Sequence, residues 1–154
     1  GYFGDPVKEC ACSPSTISRY QKRISGPLLD RRDMFVQVPR LEYDKLADDR
    51  RGETSEVVRA RVEAARDIQK LRFSGARIVC NAEMSPSQVK TFCHIDSEAQ
   101  QLLKAAMQQL ALSARAFHRV LKLARTIADL DKEPNIQTSH LAESLQYRPR
   151  IIMQ

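Results

Sequence analysis

The strongest pattern in the chain runs from Leu112 to Leu130, where Phe117, Val120, Leu121, Ala124, Ile127 and Ala128 recur at three- and four-residue steps. That spacing gathers them on one face of a helix. Ser113 stands where a hydroxyl can accept a free amide of the first turn. Upstream, Val58, Val62, Ala65, Ile68 and Leu71 or Phe73 predict a long helix that Thr54 caps and Gly75 ends. Ser85-Pro86-Ser87-Gln88 reads as a capping box with proline at the first helical position, opening a short helix through Phe92. Asp96 caps the next, whose apolar face is Ala99, Leu102, Leu103, Ala106, Met107 and Leu110. A last helix runs from about Thr138 to Tyr147 around Leu141 and Leu145. Loops of a few residues join these helices, which predicts an antiparallel bundle.

The first forty residues follow a different pattern. Gly1, Gly4 and Pro6 punctuate a loop. Ser13-Pro14 then opens a helix to about Arg23 or Ile24, basic on one side through Arg19, Lys22 and Arg23, and Gly26-Pro27 must break it. Met34-Phe35-Val36-Gln37-Val38 alternates weakly up to Pro39 and is the best strand candidate. A lone strand needs a sheet to join. The expected organisation is therefore mainly α: residues 1–40 as a loop, one helix and one orphan strand, residues 41–53 as a charged linker, and residues 54–154 as a helical domain.

Composition agrees with helical packing. Of 154 residues 42% are hydrophobic, only 6% are aromatic, none is Trp and five are Gly. The net charge is +6, and the surplus sits at the two ends of the chain: residues 1–40 and 111–154 each carry seven Lys/Arg against four Asp/Glu, while residues 41–110 balance. Such a surplus permits a polyanionic partner. The sequence holds no apolar run long enough to span a membrane, and no signal peptide. Four cysteines without one are expected to be reduced thiols in the cytoplasm. The missing initiator Met leads us to expect part of a longer protein.

Two places invite chemistry. Cys10 and Cys12 form a C-x-C pair. Two thiolates so close can ligate one zinc, which wants four ligands; the alternative is two free thiols in a loop. Arg115 falls in the first turn of the helix that follows Ser113. The helix dipole disfavours a cation there, so either Arg115 is simply solvated or an anion comes to that spot.

Taken together, Ser25-Gly26-Pro27-Leu28-Leu29-Asp30-Arg31 with Asp33, then Leu112-Ser113-Ala114-Arg115-Ala116, then Arg125-Thr126-Ile127-Ala128-Asp129-Leu130 and the ending His140-Leu141-Ala142-Glu143 with Leu145-Gln146-Tyr147-Arg148, resemble magnesium-chelatase-like AAA+ ATPases, most of all their ComM/YifB-type branch. The resemblance implies the C-terminal helical lid of an AAA+ module preceded by the end of its α/β core. It implies a homo-oligomeric ring, typically a hexamer, that works with ATP and Mg2+. The family's arginine finger maps onto Arg31, acting on the neighbouring subunit's nucleotide. Its sensor 2 arginine maps onto Arg115. Arg32 stands where relatives carry an apolar residue, which leaves two arginines side by side at the finger. Relatives also carry a C-x-C pair just before Gly1, so the resemblance implies that Cys10 and Cys12 are the second half of a four-Cys zinc site, and without the other two cysteines no well-formed site is expected in these residues. No G-x-x-x-x-G-K-[ST] loop and no acidic Walker B strand occur in these residues, so the chain alone should not hydrolyse ATP. The functions to weigh are an ATP-driven DNA motor or helicase, a chelatase-type subunit for metal insertion into a porphyrin, and a non-enzymatic helical module that binds nucleic acid.

Overall fold

The computed structural model describes residues 1–38, 41 and 52–148, which divide into two compact units: Gly1–Arg32, and a second that begins at Asp33. In the first unit, α1 (Pro14–Gln21) starts as the sequence requires, with the Ser13 hydroxyl accepting the Thr16 amide and Pro14 at the first position. Gly26-Pro27 opens a second short helix, α2 (Gly26–Asp30), because proline suits the first helical positions, so this unit has two helices where one was expected. Neither helix has a fully buried residue.

The second unit is a helical bundle. Its elements are α3 (Ser55–Arg72), a 3-10 turn (Asn81–Glu83), α4 (Pro86–Phe92), α5 (Ser97–Gln109), α6 (Ala114–Leu130) and α7 (Thr138–Gln146). The expected caps are present: the Thr54, Asp96 and Ser113 side chains each accept an amide of the turn they open, and Ser85 and Gln88 form the reciprocal box. Helix α6 is the central element, packed by α7, α3, α4 and the 3-10 turn, while α5 packs on α7. Ala124 and Ala128 of α6, Ala99 of α5 and Leu141 of α7 have no exposed surface, and Val120, Leu121, Leu103, Val89 and Phe73 close the core around them. The alanines allow the helix axes to approach closely, so the aromatic-poor composition is sufficient to fill the interior.

Two further expectations are corrected. Residues 34–38 form no strand: Phe35 donates one backbone bond to the Tyr147 carbonyl (2.9 Å), and the described residues contain no sheet for the segment to join. The bridge pairing Ile95 with Ile136 is isolated. The stripe of α3 is also buried only in part. Ala65 is buried and Ile68 half-buried, with Phe73 closing the end, whereas Val58, Val62 and Leu71 are 37%, 44% and 79% exposed. The reason is geometric: α6 is the main described partner of α3 and meets its C-terminal half, so a stripe that is continuous in sequence has a partner for only part of its length.

Candidate functional site

In the first unit Cys10 and Cys12 converge on one small space. A Cβ built on Gly1 would lie 2.6 Å from the Cys12 sulfur and 3.0 Å from the Cys10 sulfur. A hydrogen bond from the Cys12 backbone holds the Cys10 thiol below its ordinary pKa, which favours the thiolate a metal would take. The two sulfurs thus suit one half of a tetrahedral metal site. Among the described residues no third or fourth donor joins them. Arg31 caps the C-terminal end of α2, its amide donating to the Leu28 carbonyl and that of Arg32 to the Leu29 carbonyl, and both arginines are exposed.

In the second unit the candidate residue is at the entrance of α6. The Ser113 hydroxyl accepts the Ala116 amide at 3.1 Å. Arg115 is exposed within the first turn, and that turn contains no acidic residue. One turn on, Arg119 pairs with Asp33 at 3.0 Å. An exposed guanidinium beside the open amides of a helix N-terminus is an arrangement that can receive a phosphate.

The other end of α6 is built for a different purpose. Asp129 is completely buried and accepts from four directions. Arg72 at the end of α3 grips both of its carboxylate oxygens, Arg125 donates through Nε at 3.1 Å, and Asn81 of the 3-10 turn donates at 2.8 Å. Arg125, only 3% exposed, directs its remaining donors to the carbonyls of Glu133 (2.6 Å) and Pro134 (2.8 Å). Burial pulls the Arg125 guanidinium below its ordinary pKa, and Asp129 opposes that pull. The Asn81 amide is in turn held by Gln69 at 3.1 Å. This clamp ties α3, the 3-10 turn, α6 and the loop after α6 into one body. Sequence periodicity missed Gln69, Arg72 and Asn81, which carry no local pattern. The signal for the rest was visible: Arg125 and Asp129 form an i,i+4 pair of opposite charge that flanks the apolar stripe rather than the wet face.

The sequence profile described as magnesium chelatase, subunit ChlI C-terminal, matches residues 52–148, and that described as magnesium chelatase, subunit ChlI, matches residues 1–46. The chain belongs to the magnesium chelatase family. Within it, the chain is 42% identical over 140 residues to competence protein ComM of Haemophilus influenzae, covering 90% of this chain and 27% of that protein. It is 38% identical over 138 residues to YifB of Escherichia coli, covering 89% and 26%. It is 35% identical over 138 residues to YifB of Salmonella typhimurium, again 89% and 26%. The chain thus spans about a quarter of the length of these curated relatives. Family membership agrees with the helical architecture. No described helix is long and apolar enough to cross a membrane.

Proposed function

We propose that the chain is the C-terminal part of a ring-forming, ATP- and Mg2+-dependent motor of the ComM type that acts on DNA, with the helical domain as its lid. In this reading the core ends near residue 40, residues 41–53 link it to the lid, and the work is done in the cytoplasm by a ring of identical subunits, six in the family's usual form. Bound nucleotide supplies the phosphoryl group whose transfer drives the motor. Arg115 senses the γ-phosphate from the lid, and Arg31 reaches the nucleotide of the neighbouring subunit. A guanidinium brought across an interface neutralises charge that develops on the transferring phosphoryl group. These two arginines would add charge at the nucleotide's phosphates, while the Gly-rich loop that cradles those phosphates is not among these residues.

One observation carries the reading: Arg115 is placed, exposed, in the helix turn where a cation is least welcome and an anion most welcome. The test is an ATPase assay on the full-length protein with wild-type subunits mixed with Arg31→Ala subunits, and in parallel with Arg115→Ala, with and without branched DNA. If Arg31→Ala subunits silence their wild-type neighbours, and DNA stimulates turnover, the reading stands. Turnover without any response to DNA moves the assignment to a chelatase-type subunit for metal insertion into a porphyrin. Turnover indifferent to both substitutions removes the two arginines from the mechanism and leaves a helical binding module. For Cys10 and Cys12 we propose half of a zinc site, completed by two donors outside these residues. Loss of about one zinc per subunit in a full-length Cys10→Ser/Cys12→Ser variant is the expected result, and unchanged metal content refutes it.

A further inference from the structure

Helix α1 carries a cationic face that neither the arginine finger nor the cysteine pair uses. Ser15, Ser18 and Arg19 of α1 and Lys22 and Arg23 of the turn that follows it together line a shallow hollow of about 390 Å3. Among the described residues no carboxylate lines that hollow, and α1 has no acidic residue in its first turn. The adjoining face has a different character. Phe3, Ile17 and Tyr20 line a hollow of about 400 Å3 together with Cys10 and Cys12 of the candidate metal site and the polar Thr16 and Gln21. Tyr20 is 73% exposed, and the Arg23 guanidinium lies 5.9 Å from the centre of its ring. One short helix and the turn after it therefore present cations and hydroxyls along one flank and an aromatic ring along the next.

We infer that this surface binds single-stranded nucleic acid, the phosphodiester backbone running along Ser15, Ser18, Arg19, Lys22 and Arg23 with a base stacked on Tyr20. Alternating phosphate and base along a strand is the ligand chemistry that matches alternating cationic and aromatic faces. The flat guanidinium of Arg23 can serve both, since it braces the ring and faces the phosphate. The inference rests on the DNA-directed reading for its biological partner. It is measured without ATP turnover, so strand binding with no trans effect of Arg31 leaves the patch standing while the motor reading falls.

The experiment is fluorescence anisotropy of a labelled oligothymidylate of about 12 nucleotides titrated with the 154-residue chain at low and moderate salt. Three neutralised phosphates on a single strand give a log–log salt slope of about −2. Arg19→Gln/Lys22→Gln/Arg23→Gln should weaken binding at least about tenfold and flatten the slope. Tyr20→Ala should weaken it about tenfold while leaving the slope unchanged. Arg19→Lys/Arg23→Lys keeps the charge and should restore the slope, which separates lost contacts from a lost helix. Arg59→Ala/Arg66→Ala/Lys70→Ala removes as many cations from α3 and should change affinity less than about twofold. Equal loss in that control, or a triple Gln variant that binds like wild type, overturns the proposal. So does binding of ATP, but not of the oligonucleotide, at the same residues, which would assign the patch to free nucleotide.

Discussion

The two ends of α6 place charge against the helix dipole in the same way and resolve it differently. At the C-terminal end, where an anion is unwelcome, stands Asp129; at the N-terminal end, where a cation is unwelcome, stands Arg115. The chain answers the first from within. Two guanidiniums and an amide surround Asp129, and all of it is dry or nearly so. For Arg115 the described residues record no carboxylate partner, and the side chain stands in solvent. One helix thus holds an internal anion met by internal cations and an external cation that calls for an external anion. The contrast separates an arginine that builds the lid, Arg125, from the one we propose reads a phosphate, Arg115.

The comparison breaks most easily at the buried end. Asp129→Ala leaves Arg72 and Arg125 facing each other without their shared carboxylate, and loss of one partner of a buried pair costs about 3–5 kcal/mol. Urea unfolding of the second unit should show a loss of that order; a loss under about 1 kcal/mol would mean that water already reaches the clamp and the two ends are alike.

Cys93 measures how dry this interior is. Burial pushes its thiol from the ordinary 9.0 up to about 11, although Arg125 and Arg72 pull the other way. The native state therefore keeps its proton where the unfolded chain releases it. Stability contributed by the protonated thiol is complete below about pH 9 and is lost as pH rises to about 11. A thiol raised that far contributes about 3 kcal/mol at most. The difference in urea midpoint between wild type and Cys93→Ala should shrink across that window; a pH-independent difference would place solvent at the thiol.

Backbone strain flanks α6 on both sides. Ala111, just before it, and Lys132, just after it, have φ values of 46° and 60°. Each sits where a glycine commonly ends a helix, with the following amide bonded back into the helix: Leu112 to the Met107 carbonyl (3.1 Å) and Glu133 to the Ala128 carbonyl (2.8 Å). Ala111→Gly and Lys132→Gly should each stabilise by about 1 kcal/mol, the relief of a side chain in the left-handed region less the entropy of the added glycine. Equal gains would show that the strain is ordinary helix termination. No gain at Ala111 would mean that its conformation is unstrained there.

What the sequence made legible follows from what local patterns can encode. The caps at Ser13, Thr54, Ser85, Asp96 and Ser113 were readable because a cap depends on three or four consecutive residues. The α6 stripe was readable because neighbours surround that helix along its length. The α3 stripe misled because periodicity reports which residues could be buried together, and burial also needs a second surface. The strand at 34–38 failed for the same reason. Arg72 and Asn81 meet Asp129 across 57 and 48 residues of sequence, a distance no window spans. The placement of Arg31 and Arg115 rests on motif resemblance; from local physics Arg115 alone stood out, as a cation in the wrong turn.

That misplacement supports the smallest effect and the most discriminating one. If Arg115 were an ordinary surface residue, its replacement would change stability by no more than about 0.5 kcal/mol in either direction. The dipole argument gives the change a sign. Arg115→Glu removes a cation from the first turn of α6 and supplies an anion, each step favourable by a few tenths of a kcal/mol at low salt. The variant should therefore be more stable than wild type by about 0.5 kcal/mol, with the gain fading as salt screens it. Arg115→Ala should lie between the two. A residue that lowers the stability of its own helix is explained by a ligand that offsets the loss, and adding a polyphosphate should then reverse the order, stabilising wild type and leaving Arg115→Glu unmoved. If Arg115→Glu instead proves less stable, the side chain makes contacts within the lid that outweigh the dipole, and the difference between the two ends of α6 reduces to burial.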